Sequence, residues 1–542
     1  MTIIIVSLRL TILLLLSLGT TSFVNAFHHQ LPLSFQRTHH YYPRHHHDAQ
    51  KQQEYKHNDQ RDIVSLASTT ATSSGNDVMA AYEANAKARE CKESGALNAA
   101  IEQYNHALQW HPSFERTFYL AMAYEENGEP TLAAQLYEQC VDQTEDAELR
   151  HDANLKLSHI YAHDLGQVDR GISYIHAALE EWEYVHTPFS NAQAWDQMAF
   201  YEADLGHLDV AIDLWEKSMH AMEGAAGTGA DKGGWDTQEK FAEKLKDARF
   251  YQAVARALLL GEKDNPQLQN VLASLPDDCQ HMVQSWNYAI THYPPARFNQ
   301  QGKQGRIFSG IHTMLQEALL ESRPNGLVAE FGVFHGKSIR LIGDMVEPSF
   351  PVDGFDTFKG IPEAWGDEPV GSYTACAEIP QRVPSNVRFH VGLFSDTLPG
   401  YVSSLPSPPS SLPVKLINID CDLYQGTVEI LHYLSDRIGL GTVIIFDEYL
   451  MTPTWPQDEY KAFQEACVTF GWTYEYLSFS LFSKQVSVRI TSSRSFVGGS
   501  EEEEQNVVRL RRLGQAVRNN YSVPYTGIGP STLYLSSLQE VV

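Results

Sequence analysis

The stretch VAEFGVFHGKS, residues 328–338, runs from a short apolar segment through Glu330 into two glycines, Gly332 and Gly336, and on to Ser338. A strand, a glycine turn and a helix opening at a serine are the parts of a βα unit, so the stretch predicts the first such unit of an α/β sheet. Gly332 and Gly336 let the backbone pass close to a ligand. Their spacing is GxxxG with an acid two residues ahead, not the GxGxxG that cradles a pyrophosphate at a helix start.

From Leu327 onward, apolar runs alternate with helix-length amphipathic segments. The runs are LVAEFGV, PVDGFDTF, VRFHVGLF, VKLINID and TVIIFDEYL, with TYEYLSF and SVRIT weaker. That alternation predicts a Rossmann-like α/β domain over 326–495, with a mostly parallel seven-stranded sheet covered on both faces. GTVEILHYLSDRI and DEYKAFQEACVTFG read as two of its helices. Ligands of open α/β sheets sit beyond the carboxyl ends of the strands. Glu330, Asp356, Asp420 and Asp447 lie at or near four of those ends. Carboxylates gathered this way raise one another's pKa and resist desolvation, so a cationic ligand or a metal is expected among them.

The glycine turn resembles motif I of class I S-adenosylmethionine-dependent methyltransferases. GFDTFKGIPEAW (354–365), GLFSDTLP (392–399), NIDCDLYQGT (418–427) and IIFDEY (444–449) follow it in order. Together they resemble the macrocin O-methyltransferase (TylF-like) family of sugar-modifying enzymes, over roughly residues 300–490. The resemblance implies a cofactor site in which Glu330 faces the methionine end of S-adenosylmethionine and Asp356 meets the ribose hydroxyls, with Gly332, Gly336 and Ser338 forming the turn. It implies a magnesium ion held by Asp420, Asp447 and Glu448 and met by adjacent hydroxyls of a sugar or other diol-bearing acceptor. Asp422 or Asp420 would take the acceptor's proton. Glu448 stands where the family usually has a second aspartate, and Cys421 where it has glycine, which sets against the enzyme an alternative: an interaction scaffold with a retired methyltransferase-like domain. Asp422 is also in position to cap the following helix. His335 is expected as a surface or stacking residue and His390 as a satisfied core histidine, while Trp365 and Tyr373 either cover a ligand or pack within their own loop.

Upstream, a heptapeptide recurs: GALNAAI (95–101), GEPTLAA (128–134), GQVDRGI (166–172) and GHLDVAI (206–212). Glycine spacings of 33, 38 and 40 residues suit degenerate tetratricopeptide (TPR) helix pairs over 78–222. The glycine makes the turn between paired helices, and the small Ala100, Ala133 and Ala211 let them approach closely. Stacked pairs present a surface suited to a protein partner. A helical connector with the glycine-rich GAAGTGADKGG (224–234) fills 223–325, and a tail opening on four glutamates fills 496–542.

Forty Lys+Arg against 67 Asp+Glu gives a net charge of −27, and no basic patch gathers, so no nucleic acid partner is expected. The six cysteines have no metal-finger spacing and read as reduced, packed thiols. Residues 1–26, with LTILLLLSL and Val24-Asn25-Ala26, read as a signal peptide too short for a stable membrane span. Residues 27–77 read as disordered. Their basic, histidine-rich start resembles the transit part of a bipartite plastid presequence, against simple secretion or residence in the lumen.

Overall fold

The computed structural model describes residues 75–181, 188–227, 236–260, 270, 272–273, 279–292 and 307–494. The expected signal peptide, nearly all of the leader, the glycine-rich loop from 228 and the C-terminal tail lie outside them. No helix among the described residues is long and apolar enough to cross a membrane.

Eight helices pair in sequence: α1 (Gly75–Glu93) with α2 (Leu97–Trp110), α3 (Phe114–Glu126) with α4 (Pro130–Gln143), α5 (Ala147–His159) with α6 (Val168–Glu180), and α7 (Pro188–Asp204) with α8 (Leu208–Gly227). This is the expected TPR-like region. The four repeat glycines sit in these turns with φ of +84°, +68°, +64° and +86°, a region other residues enter at a cost. Ala100, Ala133 and Ala211 are fully buried between paired helices. At the equivalent position of the third copy stands Gly171, where a Cβ would come within 2.7 Å of the Ala162 Cβ. The third pair departs from the pattern, since α5 runs on through a π turn, Ile160–Asp164, that buries His163 and Asp164. Helices α9 (Asp236–Leu260) and α10 (Gln280–His292) follow.

Helix α11 (Ile311–Glu321) leads into β1 (Leu327–Phe331), α12 (Lys337–Met345), β2 (Val352–Asp356), β3 (Val387–Val391), α13 (Phe394–Ser404), β4 (Val414–Ile419), α14 (Tyr424–Leu434), β5 (Val443–Phe446), α15 (Glu459–Phe470), β6 (Thr473–Phe479) and β7 (Val486–Ser492). The seven strands lie in the order β3-β2-β1-β4-β5-β7-β6. Only β7 runs antiparallel to its neighbours. Strands β1, β4 and β5 are buried along their whole length, which is why they read as largely apolar runs, whereas edge strand β3 is half-exposed. The chain steps from β1 to β2 on one side and returns with β4 on the other. The order reverses between β1 and β4, whose carboxyl ends lead into Gly332 and Asp420, where ligands of open α/β sheets sit.

The helical region and the sheet share one hydrophobic core rather than meeting through a connector alone. Phe482, just past β6, stacks on Phe200 of α7 at 4.6 Å and meets the edge of His163 at 5.0 Å. All six cysteines are free: Cys140, Cys279 and Cys467 are buried, Cys91 and Cys421 half-buried, and Cys376 exposed.

Candidate active site

The sheet brings the strand-end acids together on one rim. Glu330 sits on β1 opposite Gly354 and Asn418, Asp356 closes β2, and Asp420 and Asp447 follow β4 and β5. The backbone stitches these ends: Gly332 N donates to Phe355 O at 3.0 Å, Asp420 N to Phe331 O at 2.8 Å, and Asp447 N to Ile419 O at 3.0 Å. Gly332 takes φ +86°, and a Cβ there would run into the backbone carbonyl of Asp420. Gly336, at φ +83°, is itself the cap of α12. Ser338 therefore does not cap that helix; it is buried, and its hydroxyl supports Glu330.

The Glu330 carboxyl is fully buried and accepts from Asn418 Nδ2 at 2.8 Å. Burial pushes its pKa up to about 8, against the opposing pull of the Ser338 hydroxyl and the Asn418 amide. Asn418 Oδ1 is buried with no hydrogen-bond partner, leaving an acceptor for a donor on a ligand. Asp356 organises the turn. Its Oδ2 accepts from Val333 N and Phe334 N, both at 2.7 Å, and its Oδ1 from Phe358 N at 2.6 Å. Oδ2 has both lone-pair sites taken, while Oδ1 can accept one further hydrogen bond, so contact with a ribose hydroxyl is compatible with this scaffolding at Oδ1.

Oxygens of Asp420, Asp422 and Glu448 come within 4.8 Å of one another, an all-carboxylate set that fits a hard divalent cation. This differs from the expected set of Asp420, Asp447 and Glu448. Asp447 adjoins the group and raises Asp420, but its Oδ1 is taken up by Gln485 Nε2 at 2.7 Å. Glu448, one methylene longer than aspartate, still reaches the cluster. Burial first, then Asp447, Glu448, Asp422 and Glu330, holds Asp420 well above the usual carboxylate range. Burial and Asp447 bring Asp422 up to about 7, while a hydrogen bond with Glu448 pulls the other way.

Asp422 does not cap α14, which starts after Leu423 without a side-chain cap. It takes φ +63°, and its buried Oδ1 has no hydrogen-bond partner. Glu459, which motif reading passed over, backs the cluster: it is fully buried, accepts from Glu448 N at 3.2 Å, and is pushed well up by burial and then by Glu448. Its acid-rich setting was visible only as a residue opening a helix. The long loop after β2 reaches the same rim. Trp365 Nε1 donates to Asp458 Oδ2 at 3.2 Å, and Tyr373 is raised by burial and then by Asp422, Glu368 and Glu448. His335 is buried rather than a surface residue, its ring tilted 52° to that of Phe334 with centroids 4.0 Å apart. His390 is half-buried, with Nε2 3.0 Å from Asp353 Oδ1 and its ring stacked on Phe355.

A carboxyl whose pKa rises on folding favours the folded state while protonated, and that contribution fades as pH climbs through the raised value. For Glu330 the window runs from the ordinary 4.5 to about 8. Each tenfold change in acidity represents about 1.4 kcal/mol. The ligand-free protein should lose melting temperature from pH 5 to 8, and Glu330→Gln should flatten part of that fall. Equal slopes for wild type and variant in a melting series would show that Glu330 carries no such linkage.

Residues 382–466 match the model of the Macrocin-O-methyltransferase (TylF) family. A demethyldecarbamoylnovobiocin O-methyltransferase of Streptomyces niveus is 28% identical over 176 residues, 28% of this chain and 64% of that protein. An 8-demethyl-8-(2,3-dimethoxy-alpha-L-rhamnosyl)-tetracenomycin-C 4'-O-methyltransferase of Streptomyces olivaceus is 29% identical over 160 residues, 25% of this chain and 57% of that protein. The chain thus spans less than two thirds of the length of these relatives. The crystal structure of the calicheamicin methyltransferase CalS11 aligns with 17% identity over 45% of this chain and 91% of that one, at a TM-score of 0.27.

Proposed function

We propose, on the premise of that family match, that the chain is an S-adenosylmethionine-dependent O-methyltransferase assisted by magnesium, whose acceptor is a sugar or another small molecule with adjacent hydroxyls. The observation that carries the reading is the convergence of Asp420, Asp422 and Glu448 beside the Gly332 turn, at the point where the strand order reverses. When bound there, S-adenosylmethionine would supply a methyl carbon open to in-line attack by the acceptor oxygen, and magnesium would supply positive charge that makes the acceptor hydroxyl more acidic.

The chain's own residues do the rest. Asp420, Asp422 and Glu448 would hold the cation, with Asp447 beside them. Asp422 receives the acceptor proton at Oδ1, the buried oxygen that has no other hydrogen-bond partner. Glu330 and Asn418 hold the methionine end of the cofactor, and Asp356 keeps the glycine turn in shape. The loop bearing Trp365 and Tyr373 closes the rim and keeps water from the reacting oxygen. A protein partner recruited through the repeats would have to use a surface other than their turn edge, which the sheet region already covers.

The test is transfer of labelled methyl from S-adenosylmethionine to a panel of sugars and phenolic diols. The reading expects product, more of it with added magnesium, and little after chelation. Tight cofactor binding with no turnover on any diol, with or without metal, would instead favour the scaffold reading.

A further inference from the structure

Each repeat turn ends on the sheet region. The backbone N of Asn98 donates to Glu378 Oε2 at 2.9 Å, Glu129 pairs with Arg382 at 2.6 and 2.7 Å, and Ser309 Oγ donates to Asp204 Oδ1 at 2.6 Å. The second and third turns grip α12, the helix that springs from the glycine turn. Lys337, its first residue, places Nζ 2.5 Å from Oδ1 of Asp164 in the π turn. Asp164 is almost wholly buried and also touches His163 Nδ1 at 2.7 Å. Gly128 backs directly on α12, where a Cβ would come 2.7 Å from Lys337 N.

Arg340, one turn further along, is buried and spans both sides of the joint. Its Nη1 donates to Asn127 O at 2.9 Å and Gly128 O at 3.1 Å in the repeats, and to His335 O at 2.7 Å inside the glycine turn. Its Nη2 donates to Gln381 O at 2.7 Å. Two buried cations on one short helix thus find compensation in the repeats. Removing a partner from a buried charge costs far more than a surface pair contributes, so this helix start is tied to the repeat turns.

We propose that the repeats are a working part of the cofactor site, with Lys337 and Arg340 as positioning residues that fix the Gly332–Gly336 turn against Asp164 and the Asn127–Gly128 carbonyls. The proposal rests on reading that turn as the S-adenosylmethionine site. It makes cofactor affinity depend on Asp164, a residue of another architecture.

The test uses the full chain and titrates S-adenosylhomocysteine by calorimetry, with backbone hydrogen exchange followed across residues 332–345. Asp164→Asn and, separately, Lys337→Met should each weaken binding about tenfold, within the usual range of couplings between sites. They should raise KM for S-adenosylmethionine more than they lower kcat, and speed exchange across 332–345. The double variant Asp164→Leu with Lys337→Met leaves neither of the pair's charges buried alone and should recover much of the affinity, which separates positioning from general damage if a single variant folds poorly. Arg249→Ala, which breaks an exposed ion pair between α9 and Glu223 of α8, should change neither readout. Wild-type affinity and wild-type exchange in the folded single variants would overturn the proposal. Faster exchange in those variants, together with no binding even by wild type, would uphold the coupling and overturn only the cofactor assignment.

Discussion

Gly332→Ala should abolish binding of S-adenosylhomocysteine and lower stability by on the order of 3 kcal/mol or more. Two costs add. The left-handed backbone at φ +86° disfavours any residue with a Cβ, and the new methyl would be driven into the Asp420 carbonyl, which cannot retreat because Asp420 N is bonded to Phe331 O at the end of β1. Moving it displaces the loop that carries Asp420 and Asp422. Gly366→Ala is the control: Gly366 has φ +53° but nothing within 4 Å of its would-be Cβ, so only the backbone cost of about 1 kcal/mol applies. A Gly332→Ala protein that melts like the Gly366→Ala protein and binds the cofactor product normally would mean the close approach of β1 and β4 is not what shapes the site.

Asp422→Asn should lower kcat by about 10²–10⁴, the span of a lost general base, while leaving cofactor affinity near wild type. The variant keeps size and shape, and α14 starts without help from this side chain, so the fold has little reason to change. What disappears is the ability to take a proton. Asp420→Asn should act differently, weakening the response to added magnesium. Full activity in Asp422→Asn would move the base to another residue, with Asp420 first in line.

The sheet was legible because buried parallel strands are mostly apolar on both faces: VIIF carries that requirement in every residue and VKLINI in all but Lys415 and Asn418. The rim acids were legible because they fall at the ends of those runs, and the repeat turns because a glycine at positive φ leaves a fixed mark in the sequence. What escaped notice depends on contacts with no local period. Arg340 looks like an ordinary helix arginine, and its partners Asn127 and Gly128 stand more than two hundred positions away. Ser338 reads as a cap because serine often is one, yet Gly336 takes that place and the hydroxyl turns to Glu330. Glu459 and Asn418 serve the site from behind their neighbours, where motif spacing has nothing to say. That Asp422 lies within the close carboxylate cluster and that Asp447 Oδ1 is met by Gln485 depends on side-chain contacts across different strand connections, which spacing does not encode.

The most direct measurement is a calorimetric titration of the well-folded full chain, first with S-adenosylhomocysteine and then with magnesium chloride. The account predicts a saturable heat for the first and a second heat for the ion that is lost in Asp420→Asn. Silence from both, on protein that still melts cooperatively, would contradict it.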